Sequence, residues 1–318
     1  MKTYTFNELR KIYEQGVNLD KISRLEEGLL FLKIRSLTKN KLKELGIAKK
    51  IIEEKQSITE WKLREILFDN STNEELTLFI LDNKDEIAKI ENVKELVDGL
   101  KEVKDHAPSV FLDSFDRVIK GIVRDKTISS LTVLKEKIKS SLTPKLNAYV
   151  EWSWFNQNAN DLIEDIFRKH DKIIPTLRKV HGVDFFIKLN KKEIPVDLKV
   201  TFLPKEFVLD YIKEKKTTNE VIAIVKKEPK ILAEWLYKNQ NPRLFNNNIR
   251  LFIVLIDKQN LIDSWKLKAE YGLIKKNVNK FLDVLSEKDT ILVEYEYTKE
   301  DRVAGNYDTS CFLLIIEK

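Results

Sequence analysis

Residues 158–204 read NANDLIEDIFRKHDKIIPTLRKVHGVDFFIKLNKKEIPVDLKVTFLP, and the fold depends on the order of elements within them. Apolar residues at three- and four-residue spacing predict a short helix over residues 158–169. The β-branched and aromatic residues that follow predict one strand over 176–189 and a second over 194–202, with a polar turn at 190–192. We therefore predict a helix followed by a β-hairpin.

Charged side chains of this segment are expected to converge. Asp197 and Lys199 are two residues apart in the second strand and project from the same face, whereas Leu198 faces the other way into a core. Antiparallel pairing across the turn would place Asp184 of the first strand beside Asp197 or one pair beyond it. Glu164, on the preceding helix, is the fourth candidate for this site.

Oxygen donors in this arrangement suit a hard divalent cation. Mg²⁺, or Mn²⁺ in its place, would bind the carboxylates of Asp184 and Asp197 and the carbonyl of Leu198, and would keep water ligands. The ion would polarise a phosphoryl oxygen and generate hydroxide, while Lys199 would orient the attacking water. Glu164 would complete the site or help to hold a second ion. The residues predict metal-dependent phosphodiester hydrolysis.

The same residues resemble the PD-(D/E)xK nuclease superfamily. The resemblance makes Asp184, in Gly-Val-Asp, the first motif aspartate, Asp197 the second acidic ligand and Lys199 the motif lysine. It makes Glu164 the helix acid. Two departures are Val183 in place of the motif proline and Asp as the second acid. The resemblance covers about residues 150–260, and it implies a restriction-endonuclease-like α/β core with a mixed sheet.

A simpler interpretation of these charges stays open. Asp184 and Asp197 would be solvent-facing residues of an amphipathic hairpin, balanced by Lys199. Asp161 and Asp165 lie on neighbouring faces of the helix that carries Glu164. In this interpretation, any of the three acids is a solvent-exposed charge with no role in the site. His170 and His181 flank the hairpin, and without metal-ligand spacing they are expected to be surface residues.

Composition narrows the class of protein. The 318 residues include 42% hydrophobic and 34% charged residues, which is typical of a globular protein with a substantial core. The N-terminal residues lack an apolar signal core, and no stretch approaches a membrane span. The one cysteine, Cys311, excludes an internal disulfide and a cysteine-based zinc cluster, and it is expected in a buried final strand. These features predict a cytoplasmic protein without a membrane partner.

Residues 1–147 predict a helical domain, and residues 148–318 a nuclease domain, with the boundary at 141–144. Eight helices are predicted before the boundary, over 6–13, 22–34, 39–55, 59–68, 73–83, 93–103, 110–123 and 129–140. Residues 1–50 carry twelve Lys or Arg against six Asp or Glu, so a basic surface there could follow a phosphate backbone. The alternative is a solvated, lysine-rich helical surface.

The remaining segments complete the predicted α/β domain. Helices are predicted over 205–216, 229–239 and 267–285, and strands over 219–226, 248–257, 290–298 and 311–317. Strand 248–257 is expected to be buried, and the last two strands to pair across a polar turn at 302–309.

The function that follows is a Mg²⁺-dependent endonuclease acting on double-stranded DNA, of the restriction or phage-defence type. The N-terminal region would supply target recognition, positioning or a homodimer surface. Two alternatives remain, namely a non-catalytic DNA-binding or scaffolding protein with a nuclease-like domain, and an RNase or exonuclease on the same fold.

Overall fold

The structure is a computed structural model that carries side chains. It describes residues 3–15, 22–87, 90–106, 119–122, 124–125, 127, 130–190, 192–214, 216–239, 249–297 and 305–318. Of the predicted turn at 302–309, only 302–304 lie outside these residues. Residues 305–309 are strand and pair with 293–297, so the turn was predicted too long. Most of the predicted helix 110–123 also lies outside the described residues. Among the described residues, no helix is both long and apolar enough to cross a membrane.

A six-stranded mixed sheet lies at the centre of the C-terminal half, in the order β1-β2-β3-β4-β6-β5. Its strands are β1 (Ile173–Val180), β2 (Val183–Leu189), β3 (Lys192–Phe202), β4 (Arg250–Ile256), β5 (Ile291–Tyr297) and β6 (Gly305–Glu317). β3 and β6 both run parallel to β4, and the other neighbouring pairs are antiparallel. The prediction of an α/β fold with a mixed sheet is confirmed.

Sequence patterns explain the middle and the edge of this sheet. Every residue of β4 is buried, as expected of a parallel strand that is covered on both faces. β5 pairs with β6, and Cys311 lies buried in β6 as predicted. The predicted strand 176–189 was too long, because Gly182 adopts a φ of 79° and ends β1 in a turn before β2.

Helices of the N-terminal region pack on the sheet. They span Phe6–Gln15, Glu26–Arg35, Lys39–Ala48, Glu60–Asn70 and Asn73–Asp82, and a helix Val93–His106 follows. One apolar cluster joins residues of the first five helices to Ile174, Val180, Val183 and Phe186 of β1 and β2. The buried Lys33 adds a polar link, since its ammonium binds the side chains of Thr77 and of Glu193 in β3.

A second apolar cluster lies between β4, β5, β6 and three helices, Lys205–Lys213, Thr218–Lys227 and Pro229–Asn239. The strand predicted over 219–226 is wrong, because this segment is helical. Thr217 and Glu220 form a reciprocal capping box at its start, and Val221, Ile222 and Val225 form its buried stripe. β-Branched composition had suggested a strand, but the cap and the spacing determine a helix.

The acid-bearing helix is longer than predicted. It runs as Thr143–Arg168, after a helix Leu131–Lys137 and a π-helical turn Ile138–Leu142. Helical structure therefore continues through the predicted boundary at 141–144, and Pro144 is the second residue of the helix Thr143–Arg168. Leu261–Ala269 is a 3₁₀ helix, and the predicted helix 267–285 is observed as Tyr271–Val284.

The chain divides into two compact units. The first comprises Met1–Lys89, Glu164–Trp265 and Lys275–Lys318, and it holds the whole sheet and the first five helices. The second comprises Ile90–Ile163 and Lys266–Ile274. The predicted division into domains 1–147 and 148–318 concerns independent folding and stays a prediction.

Candidate active site

Strand register brings two predicted site residues together. Phe185 of β2 pairs with Val196 of β3, and the same register continued by one residue sets Asp184 opposite Asp197. The backbone N–H of Leu198 donates to Asp184 Oδ2 over 2.7 Å, which joins the two strands beyond the last paired residues. The expectation that pairing places Asp184 beside Asp197 agrees with this geometry.

Asp197 is buried and lies between two cations. Its Oδ1 is 2.9 Å from Lys199 Nζ, and its Oδ2 is 3.2 Å from Arg250 Nε. Arg250 begins β4 and is the direct parallel partner of Asp197 in the sheet. The interpretation of Asp197 as a solvent-facing residue is wrong, since the side chain is only 9% exposed. Removal of either cation would therefore leave a buried charge without one of its two partners.

The surroundings of Asp184 disfavour the ionised form of its carboxyl group. Burial, the nearby charge of Asp197 and, to a smaller extent, that of Glu164 raise the pKa of Asp184, which lies at about 6. The hydrogen bond from Leu198 and the charge of Lys199 act in the opposite direction on this pKa. Repulsion among carboxylates is what a shared cation relieves, so Asp184 would ionise more easily with a cation present.

Glu164 lies at the same site, whereas its two neighbouring acids have other partners. Glu164 accepts a hydrogen bond from Arg168 one turn later at 3.0 Å, and it is close enough to affect the pKa of Asp184. Asp165 is buried and pairs with Lys169, and Asp161 accepts from Gln157. Of the three acids, Glu164 alone lines the cavity described next.

A cavity of 650 Å³ opens over these residues in the first compact unit. Glu164, Asp184, Asp197 and Lys199 all line it, so the structure brings the four predicted side chains to one space. The remaining lining includes the basic residues Arg168, Arg178 and Lys179, together with His181. Carboxylates and cations that lie close together suit a phosphate ester whose charge is shared between a metal ion and the protein.

The oxygen donors of the site meet the usual requirements of Mg²⁺ only in part. Within the described residues, no group of three His, Cys, Asp or Glu is arranged to hold a metal ion. Mg²⁺ is commonly bound by one or two carboxylates plus waters and substrate phosphate, and Asp184 and Asp197 satisfy that smaller requirement. The Leu198 backbone faces β2 and Asp184, because Asp197 N bonds in the other direction, to the carbonyl of Ile249 just before β4, and alternate residues of a strand bond to opposite neighbours.

Sequence reasoning missed several groups of this site. Arg250 gives no local signal, because its role depends on the parallel register of β3 with a strand over fifty residues later. His181 is exposed, as predicted for a surface residue, but it also lines the cavity, and partial burial lowers the pKa of its imidazole. His170 is mostly buried and lies 3.2 Å from Asp283. Arg178, in β1, and His181, in the turn after β1, both line the cavity. Gly182 was the only signal for this turn in the sequence.

Comparison with protein-family models, with curated proteins and with solved structures gave no match. The fold and the geometry of the site therefore carry the functional argument. At the level of class, the chain is a mixed α/β protein whose central sheet presents a carboxylate and lysine site.

Proposed function

We propose that the protein is a metal-dependent nuclease that hydrolyses phosphodiester bonds of double-stranded DNA, with a core of the restriction-endonuclease-like kind. The observation that carries this proposal is the meeting of Glu164, Asp184, Asp197 and Lys199 in one basic cavity. A restriction or phage-defence role is part of the same proposal.

Each residue has a separate part in this mechanism. Asp184 and Asp197, with the Leu198 carbonyl, would hold Mg²⁺ or Mn²⁺ beside the scissile phosphate. The bound ion supplies Lewis-acid polarisation of a phosphoryl oxygen and lowers the pKa of a water ligand. Lys199 holds its ammonium over Asp197, where it orients the attacking water and offsets the charge that develops on the phosphate.

The surrounding residues complete the proposed mechanism. Arg250 holds the Asp197 carboxylate in position inside the sheet, and Glu164 would complete the metal site or help to hold a second ion. Arg178 and Lys179 at the rim neutralise the phosphates on either side.

A supercoiled plasmid with purified protein and Mg²⁺, and with EDTA as the control, tests the proposal. We expect Asp197→Ala and Lys199→Ala each to slow cleavage by roughly 10²- to 10³-fold. Asp197→Ala leaves Arg250 buried without its partner, which costs about 3–5 kcal/mol of stability, so Asp197→Asn is the variant that separates folding from chemistry. Lys213→Ala, at a lysine 76% exposed, is the matched control and should cleave normally.

The outcomes separate the candidate functions. Full cleavage by both Lys199→Ala and Asp197→Asn would place the chemistry elsewhere. A wild-type protein that binds the plasmid but does not cut it, with Mg²⁺ or Mn²⁺, would support the non-catalytic DNA-binding alternative. One observation favours that alternative, since both oxygens of Asp197 already pair with cations. Parallel assays on circular duplex, linear duplex and RNA distinguish an endonuclease from an exonuclease or an RNase.

A further inference from the structure

Arginines lie against aromatic rings on the N-terminal helices of the first compact unit. The Arg10 guanidinium is 3.9 Å from the centroid of the Trp61 ring. The Arg35 guanidinium is 5.0 Å from the same centroid and 4.8 Å from that of Tyr13. Two guanidiniums thus share one indole, and the contacts with the rings restrict where the donors lie.

This group of side chains adjoins the candidate active site. The Tyr13 hydroxyl donates to the His181 carbonyl over 3.1 Å, and His181 lines the cavity. Arg178 also lines the cavity and binds Glu60, the residue before Trp61, over 3.0 Å. We define the arginine–aromatic patch as Arg10, Tyr13, Arg35, Trp61 and Arg178.

Positive charge exceeds negative charge among the groups paired within this patch. Glu60 is shared between Arg178 and the buried Arg64, and Glu14 pairs with Arg10. Arg35 has no carboxylate partner in the part of the chain that the structure describes. The patch therefore holds cations without equal compensation, next to a basic cavity, and that combination favours an anionic ligand.

The patch lies mostly on the packed N-terminal helices, with its Tyr13 buried and three of its side chains partly exposed. Arg64 anchors its helix by donating to the carbonyls of Ile34 and Leu37, over 2.6 and 3.2 Å. Arg10, Trp61 and Arg178 remain 35–41% exposed. In contrast, three lysines between residues 33 and 50 have carboxylate partners: Lys33, Lys41 and Lys49. Of the basic residues in this stretch, Arg35 belongs to the patch.

We infer that the arginine–aromatic patch binds the phosphate backbone of duplex DNA beside the phosphate that enters the cavity. The inference rests on the proposed function for its choice of DNA. Arginines held against rings present donor pairs that match phosphate oxygens, and they lose little side-chain freedom on binding. The patch would set the register of the strand, and the cavity would receive one phosphate of it.

DNA binding is measured in the Lys199→Ala background, so that affinity is read without cleavage. Fluorescence anisotropy of a labelled duplex is followed over a range of salt concentrations, for the parent and for Arg10→Ala/Arg35→Ala. We expect roughly 10-fold weaker binding, and a salt dependence of log Kd that is shallower by about two, since each phosphate contact contributes about 0.9 to that slope. Lys213→Ala/Lys230→Ala removes two exposed, ion-paired lysines and should leave both quantities unchanged.

A charge-retaining variant shows whether weaker binding comes from loss of the arginines or from loss of folding. Arg10→Lys/Arg35→Lys keeps two cations, and we expect it to recover most of the salt dependence but not the full affinity. Unchanged affinity and slope in the alanine variant would overturn the inference even if the wild-type protein cleaves DNA. Weaker binding in that variant, together with no cleavage by the wild type, would support the patch and reject the nuclease. Binding of duplex RNA in preference to DNA would overturn the choice of ligand.

Discussion

Asp184 shows how one residue connects stability with the proposed chemistry. Its carboxyl is mostly buried, beside a second carboxylate, and its pKa is raised to about 6 from an ordinary value of 3.8. Because the folded protein holds this proton more tightly than the unfolded chain, the contribution of Asp184 to stability is greatest below the ordinary value and is lost as pH rises through 6. An ionised Asp184 therefore destabilises the metal-free protein at neutral pH.

We expect Asp184→Asn to stabilise the metal-free protein by about 2 kcal/mol near pH 8, since the amide carries no charge to bury. The gain should vanish as the pH falls towards 4. Urea unfolding in EDTA at several pH values measures it. Added Mg²⁺ should stabilise the wild type and leave Asp184→Asn unaffected, and an equal response of both proteins would argue against a cation at this carboxylate.

At the scale of elements, two helical glycines differ in whether the fold leaves room for a side chain. Gly28 lies in the helix Glu26–Arg35, and a Cβ there would lie 1.8 Å from the Ile22 carbonyl oxygen. Gly272 lies in the first turn of the helix Tyr271–Val284, and a Cβ there would meet nothing within 4 Å. The same substitution should have opposite effects at these two positions.

We expect Gly28→Ala to destabilise the protein by about 3 kcal/mol or more, because backbone must move to relieve the overlap. Gly272→Ala should be neutral or stabilising by up to about 1 kcal/mol, since alanine reduces the freedom of the unfolded chain. Chemical denaturation of both variants against the wild type measures the difference. A Gly28→Ala protein as stable as the wild type would show that this helix does not contact Ile22 so closely.

Element type followed from sequence wherever period and end signals agreed. The buried strand β4 and the helix Pro229–Asn239 are examples, each bounded close to the expected residues. The segment 219–226 was misread because β-branched content outweighed the capping box at Thr217, which fixes a helix. The pairing of Asp184 with Asp197 was predictable because register follows from the turn, but the pairing of Asp197 with Arg250 was not, since a parallel crossover leaves no local pattern.

For the whole molecule, the packing of the N-terminal helices bears on whether the sheet folds alone. The apolar cluster on this face includes Ile174, Val180, Val183 and Phe186 from the sheet together with residues of the first five helices. Glu193 of β3 also depends on Lys33 and Thr77 for its partners. Exposure of a large buried side chain costs about 1.5–3 kcal/mol, so loss of these helices would remove an amount comparable to the total stability of a domain.

We therefore expect a fragment of residues 148–318 to lack a cooperative unfolding transition, although the sequence predicted a domain with this boundary. Thermal and urea unfolding, followed by circular dichroism, measure it against the intact chain. Residues 1–89 expressed together with residues 90–318 provide the control, because the two pieces retain every contact of the shared core and should associate and unfold as one. A fragment 148–318 that unfolds cooperatively by itself would instead support two independently folding domains, with the N-terminal helices as an accessory layer on a self-sufficient sheet.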